Sequence, residues 1–433
     1  MAPSAKAFLR QTPGQRWRAW WRIVLCTVGL TPLLALGMGK KVARGQGVSV
    51  RLVPPPGEGM LRIATFNVSL HREKEGELTA DLEQGDDQAE RIAALVRNVQ
   101  PDILVVNELD YAADGANVGL WERRYLAKDN LDLLGSASWP MPHHFSAEVN
   151  TGQPSGLDLD RDGKKGEPED AWGYGRFPGQ YGMAVLSRFP IDDAHVRTFR
   201  KLKWSSMPHA LRPRDPQTGQ WYYADAVWQA LYLPSKSFWD VPVATPQGIV
   251  HVLASHPTPP AFDGPEDRNG CRNHDEIQLL IDYLDDAAWI VDDEGRAGGL
   301  PPDALFFVAG DLNCDPLDGE SRHEVVERLL AHRRLRQGPA PRSRGGEMAA
   351  AQQGGVNSQH RGDPAADTAD FNDRSVGNLR VDYVLPCRTM QVVRSGVVWP
   401  AADEVPHEVR GSVARAMQAT DHRLVWVDVQ IRE

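Results

Sequence analysis

The sequence predicts an α/β domain, and its segments fit two β-sheets packed face to face with helices on the outside. Three observations carry that prediction. Short apolar runs recur along the chain and stop at Gly, Pro or polar residues, as buried strands do. Longer stretches between them repeat apolar residues every three or four positions, the spacing of a helix with one buried stripe. The two kinds of segment alternate, and strand-helix-strand units of this sort can place their polar strand ends on one rim.

The elements follow in order. Arg10, Arg16, Arg18 and Arg22 precede an uncharged run from Ile23 to Gly39, which is followed by Lys40, Lys41 and Arg44. Residues 1–44 therefore read as an export signal or signal anchor, and the chain is expected to be exported, periplasmic or extracellular. Pro32 interrupts the run, which falls short of the ~20 residues of a comfortable membrane span. Cleavage and anchoring by residues 23–39 are both open. Residues 45–433 form one large domain, because its characteristic segments are spread from end to end.

Val48–Val53 and Leu61–Phe66 have strand character, and the second leads into Asn67. The stretch Asp87–Val99 sets Ile92, Leu95, Val96 and Val99 on one helical face. Pro101 stops that helix and delivers the chain to the strand Asp102–Asn107, which ends at Glu108. An insertion at 150–180 is too polar for a core and longer than a normal connector. Within it Asp158, Asp160 and Asp162 alternate before Gly163 like a fragment of a calcium loop, read as lacking the twelfth-position glutamate and the flanking helices of a complete hand. Val250–Ser255 leads into His256, and a second insertion spans 262–275. His274–Ala288 repeats the helical stripe with Ile277, Leu280, Ile281 and Leu284. After Pro301-Pro302 the run Leu305–Ala309 enters Gly310-Asp311-Leu312-Asn313, where alternation points Asp311 and Asn313 the same way. A third insertion, 339–370, is rich in Gly, Ala, Gln and Arg and reads as a mobile lobe. The last strand-like segments are Arg380–Leu385, which contains Asp382, and Arg423–Val427, which follows Thr420-Asp421-His422.

Glu108, Asp311, Asp382 and Asp421, with Asn67, Asn313, His256 and His422, form a polar set that no core could bury unpaired. A shared cleft holding a hard cation accounts for them together. At these residues the chain resembles the endonuclease/exonuclease/phosphatase superfamily of DNase I-like phosphoesterases. The matching pieces are Thr65-Phe66-Asn67, Asn107-Glu108, Tyr181–Arg188, Ser255-His256, Gly310–Asn313, Arg380–Tyr383 and Thr420–Arg423, in the family's order.

The resemblance implies a four-layer α/β sandwich, two mixed sheets face to face flanked by helices, and a metal-dependent hydrolase of phosphate esters. It implies catalytic roles for Asn67, His256, Asp311, Asn313, Asp382 and His422. Glu108 is the expected principal metal ligand, helped by Asn67 and Asp421. The expected cofactor is Mg²⁺, with Mn²⁺ or Ca²⁺ as alternatives. Asp382 and His422 are expected to pair, and either Asp311 or His422 removes the proton from water. Arg268, Arg272 and His274 are candidates to grip phosphate. One departure stands out: abasic-site endonucleases carry an acidic residue two positions after the first Asn, where this chain has Ser69.

The expected substrate is a small or lipid-derived phosphate ester, with transient membrane association as one consequence. The alternative is a nuclease. The formal net charge is -10, and residues 1–44 hold basic side chains and no acid, so the remainder is more negative still. Such a chain is not built to hold duplex DNA by bulk attraction. A local basic patch from Arg197 to Arg214, with Arg200, Lys201, Lys203, His209 and Arg212, is the counterargument, as are Trp204, Trp221, Tyr222, Tyr223, Trp228 and Trp239, which could stack on bases. Outside residues 1–44 the cysteines are Cys271, Cys314 and Cys387, so at most one disulfide can form, and no zinc-ligand spacing occurs. No protein partner is evident.

Overall fold

Alternating apolar residues build both faces of each central strand in the computed structural model, which describes residues 49–431. In chain order the strands are β1 (Leu61–Leu70), β2 (Ile103–Leu109), β3 (His143–Phe145), β4 (Met183–Ser187), β5 (Arg197–Thr198), β6 (Phe238–Thr245) and β7 (Gly248–Ser255). They continue with β8 (Leu305–Asp311), β9 (Ala369–Asp370), β10 (Asn378–Leu379), β11 (Asp382–Pro386), β12 (Met390–Val397) and β13 (Val425–Ile431). One sheet has the order β12-β13-β1-β2-β4-β3 and the other β11-β8-β7-β6-β5, while β9 and β10 form a separate ribbon. Both large sheets are mixed: β1 runs parallel to β2, β7 runs parallel to β8, and the other pairings are antiparallel.

Period two decides which layer each residue serves. Ile63, Ile103, Val105, Val185 and Val427 point into the core shared with the second sheet, where Val252, Val308 and Tyr383 meet them. Ala64, Phe66, Leu104, Val106 and Leu186 point the other way, against Ile92, Leu95, Val96 and Val99 of the helix Asp87–Val99. On the second sheet the helix Arg268–Leu284 contributes Ile277, Leu280 and Leu284. The result is helix, sheet, sheet, helix, as the resemblance implied.

Several local expectations change. Val48 lies outside the described residues and 49–53 pairs with no strand; its backbone is instead tied to a loop through Val50 N–H and the Leu134 carbonyl at 3.0 Å. The second helix starts at Arg268, inside the expected insertion, because Asn273, Asp275 and Glu276 are buried polar residues that an apolar stripe does not reveal. The segment 339–370 carries a helix, Arg344–Gln353, capped by Ser343. The localisation expectation is corrected: among the described residues no helix is long and apolar enough to cross a membrane, and the segment behind the expectation, 1–44, lies outside them.

One glycine is required where the sheet meets the site. Gly310 has φ +143°, and a Cβ there would stand 1.9 Å from the Ser255 carbonyl oxygen.

Candidate active site

Strand ends bring the polar residues together. Asn67 pairs across the parallel ladder with Asn107, so the two strands deliver Asn67 and Glu108 to the same rim. Glu108 sits at φ +59°, a left-handed conformation that turns the chain out of the strand. Asp311 closes β8 directly opposite Asp382, which opens β11, and residues paired in this way share a face. Asn313 follows at φ +51°, its N–H donating to Asp311 Oδ1 at 2.8 Å.

Asp311 Oδ2 is the centre of the arrangement. Asn67 Nδ2 donates to it at 3.1 Å and to Glu108 Oε1 at 3.0 Å. His256 Nε2 stands 3.6 Å away and His422 Nε2 3.7 Å. On its far side the His422 ring places Nδ1 2.9 Å from Asp382 Oδ2, a carboxylate oxygen that also accepts from the Thr368 hydroxyl at 2.8 Å. Phe371 packs edge-on against the same ring, centroids 5.4 Å apart.

Electrostatics separates the groups. Burial pushes Asp311 up to about 7, against the pull of His422 and the N–H donors and with a further push from Asp382. Burial opposes charge on His422, but the carboxylates of Asp382 and Asp311 outweigh it and hold its pKa well above the ordinary value. His256 goes the other way: burial, then Lys236 and His422, hold it well below the ordinary value, so its ring is neutral. Expected to act as a donor if protonated, His256 instead offers one N–H and one lone pair.

The structure thus gathers Asn67, Glu108, His256, Asp311, Asn313, Asp382 and His422 in one cluster. Asp421 is exposed beside them, and its backbone carbonyl accepts from Asp370 N–H. Arg272 is spent on the carbonyls of Leu233, Trp172, Tyr232 and Pro234. Arg268 pairs with Glu266, and His274 lies between Asp275 and Arg328. These three frame the helix Arg268–Leu284 and its neighbours.

Other residues were not singled out from sequence. Asn107 crosses between the sheets, accepting from Asp311 N–H at 3.0 Å and donating to the Ser255 carbonyl at 3.4 Å. Its place beside Glu108 was a signal. Lys236 is buried, and its ammonium and Asn313 Nδ2 converge on the Pro257 carbonyl at 3.4 and 3.1 Å. Thr368 anchors Asp382 from the end of the third insertion. Neither Lys236 nor Thr368 carries a local sequence signal.

The donor set fits a divalent cation. Ligand atoms of Glu108, His256 and Asp311 lie within 4.8 Å of one another, and both ring nitrogens of His256 are buried without a hydrogen-bond partner. Asp158, Asp160 and Asp162 satisfy the same distance in the 150–180 loop, with Gly163 N–H donating to Asp158 Oδ2 at 3.1 Å; the expected absence of a twelfth-position glutamate is corrected, because Glu169 stands twelfth counting Asp158 as the first.

The chain matches the Endonuclease/Exonuclease/phosphatase family over residues 64–422. No curated protein matches it significantly. Among solved structures it is similar to an endonuclease/exonuclease/phosphatase from Beutenbergia cavernae DSM 12333, 18% identical over 86% of this chain and 72% of that one, with a TM-score of 0.44. A family protein from Leptotrichia buccalis C-1013-b is 14% identical over 85% of this chain and 99% of that one, TM-score 0.42. Sphingomyelinase C from Streptomyces griseocarneus is 16% identical over 85% and 99%, TM-score 0.41. With its metal-binding catalytic cluster and a match across most of its length, the chain belongs to the endonuclease/exonuclease/phosphatase family and is a metal-coordinating phosphoesterase.

Proposed function

We propose that the protein hydrolyses a small or lipid-derived phosphate ester by direct attack of water. The observation that carries this reading is the convergence of Lys236 and Asn313 on the Pro257 carbonyl, beside the Asp311–His422–Asp382 chain and the His256 ring that stands 3.6 Å from Asp311. Lys236 and the Asn313 amide bind the nonbridging oxygens, and the neutral His256 ring donates a further hydrogen bond. Asp311, with a pKa near neutrality, accepts the proton of the attacking water. His422 is kept protonated by Asp382 and serves as a donor for developing charge, so it is the less suitable base. Asn67 orients both carboxylates. Glu108 is the principal ligand for a divalent cation, Mg²⁺ in the first instance with Mn²⁺ or Ca²⁺ as alternatives. Such a cation, when bound, offsets charge on the nonbridging and leaving oxygens.

A small ester is favoured because the basic patch is committed within the protein. Arg197 pairs with Asp292, Arg200 with Glu148 and Arg212 with Asp225, while Lys203 donates to the Ala230 carbonyl. Four of the proposed stacking aromatics, Trp204, Tyr223, Trp228 and Trp239, are buried. The nuclease reading keeps one observation: Trp221 is 46% exposed, with the guanidinium groups of Arg212 and Arg214 lying 5.0 and 4.0 Å from its ring. Purified protein with each cation should be assayed on phosphodiesters, phosphomonoesters, phospholipid vesicles, DNA and RNA. Turnover of small or lipid esters well above nucleic acid is expected; turnover of nucleic acid alone would reverse the choice.

A further inference from the structure

A bulge in β1 aims a second side chain at Glu108. The β1–β2 ladder passes from the pair Asn67–Asn107 to the pair Leu70–Leu109, so β1 spends one residue more than β2 over that interval. Ser69 absorbs the extra residue at φ +48°. Bulges next to active sites re-aim side chains in this way, and this one is held firmly. The Ser69 N–H donates to Asn67 Oδ1 at 3.2 Å, its hydroxyl meets that of Thr420 at 3.1 Å, and its carbonyl accepts from Gln88 at 3.0 Å. Arg72, three residues on, donates its N–H to Asp110 at 2.7 Å and a guanidinium N–H to the His71 carbonyl at 3.0 Å.

The consequence is that His71 Nε2 lies 3.4 Å from Glu108 Oε2, while Asn67 occupies Oε1. The ring packs on Tyr181, centroids 4.6 Å apart, which fixes its plane. A direct N–H···O bond between the two would prefer about 2.9–3.0 Å. Two ligands about 2.1 Å from one ion, spread between a right angle and a tetrahedral angle, stand roughly 3.0–3.4 Å apart. The separation suits a shared cation better than a hydrogen bond.

We propose that His71 is a ligand of the divalent cation held by Glu108, supplying a nitrogen donor to a site whose other nearby groups are carboxylates, His256 and an amide. An imidazole shifts preference from Mg²⁺ toward later first-row ions, because nitrogen ligands follow the order that rises from Mn²⁺ toward Cu²⁺. The inference rests on Glu108 being the principal ligand.

The test is binding of Mn²⁺ alone to metal-free protein, with pulsed electron paramagnetic resonance to detect ¹⁴N coupling from a coordinated imidazole. Wild type should show ¹⁴N coupling. His71→Gln should lose the coupling of that imidazole and bind Mn²⁺ about 10–100-fold more weakly, His256→Gln should keep it, and the doubly substituted protein should show none. His71→Asp restores a ligand and should raise Mg²⁺ affinity relative to Mn²⁺. Bound Mn²⁺ without ¹⁴N coupling in wild type overturns the proposal with no variant needed, as does full coupling in a folded His71→Gln protein. Glu108→Gln separates the two levels: if it leaves Mn²⁺ binding intact, the underlying reading fails too, and if it abolishes binding while His71→Gln does not weaken it, only the role of His71 falls.

Discussion

The two halves of the sandwich share a plan and differ in what their strand ends become. In one, β1, the helix Asp87–Val99 and β2 form a parallel unit flanked by antiparallel β13 and β4; in the other, β7, the helix Arg268–Leu284 and β8 are flanked by β6 and β11. The first half ends in Asn67 and in Glu108, whose side chain is 22% exposed. The second ends in His256 and Asp311, both 1% exposed. Equivalent positions on equivalent strands thus yield one carboxylate in reach of water and one that is dry, and desolvation is what moves the dry one toward neutrality. The helices differ to match. Asp86 caps the first, whose buried Arg97 and Asn98 tie loops distant from the site, whereas the second has no side-chain cap and spends Asn273 on the carbonyls of Thr258 and Leu312 and Glu276 on Ser235 and Thr258, beside the site. Burial and framing, more than residue type, set a carboxylate in reach of water apart from a dry one, the division that the proposed cation-holding and proton-handling roles would need.

The widest gap between the halves should come from Glu108→Gln. It preserves size and removes the charge that binds a cation, a contribution of several kcal/mol, so kcat/KM should fall about 10³-fold or more. Rate measured against Mg²⁺ and Mn²⁺ concentration checks it; a variant with wild-type rate and cation dependence would remove the first half from the chemistry.

Asp382→Asn strikes the second half, and turnover should drop about 10²–10⁴-fold, the range for a displaced acid–base group. Stability should respond with a definite sign. The folded pKa of His422 is raised, so its pairing with Asp382 adds stability that is complete below 6.5 and is lost as pH rises through the folded value. The Tm difference between wild type and variant should therefore be widest near about pH 6 and narrow on the alkaline side. A difference that grows with pH would contradict the charged pair. Asn313→Ala should be milder, lowering kcat about 10²-fold, as for loss of one oxyanion donor, with KM moving less. An equal change in KM alone would make Asn313 a ground-state contact.

Much of this division was legible in the sequence, for a local reason. An apolar run that ends in a polar residue marks a strand and its rim at once, so Asn67, Glu108, His256, Asp311 and Asp382 stand where their runs placed them. The helix Asp87–Val99 has the expected bounds because its stripe coincides with an Asp86 cap and a left-handed Gln100. What depended on distant partners was not legible. Residues 49–53 have strand composition but no strand beside them to pair with. Lys236 is one charge in Pro-Ser-Lys-Ser, and only the fold sets it beside Pro257. Thr368 ends a segment whose composition reads as mobile, although tertiary contacts hold it on Asp382. At Asp421 and His422 a single step along the chain separates an exposed side chain from a buried one, a distinction that residue type cannot make.

Asn107 offers the smallest effect and the sharpest test of how the halves are joined. It belongs to the first sheet, yet it bonds to Asp311 N–H and the Ser255 carbonyl in the second, close to where Gly310 lets the backbones approach. Asn107→Ala leaves that buried N–H and carbonyl without their partner, a loss of about 1–3 kcal/mol. Both Glu108, the proposed cation ligand, and Asp311, the proposed base, keep their own side chains, so the effect should appear first as a lower Tm. Activity should follow through alignment of the two ends: if the cation is held chiefly by the first half, as proposed, kcat should fall more than cation affinity, since Asp311 must be registered against it. If Asn107→Ala weakens cation binding as much as turnover, the halves do not divide the work as their burial implies, and the site is one undivided ligand shell.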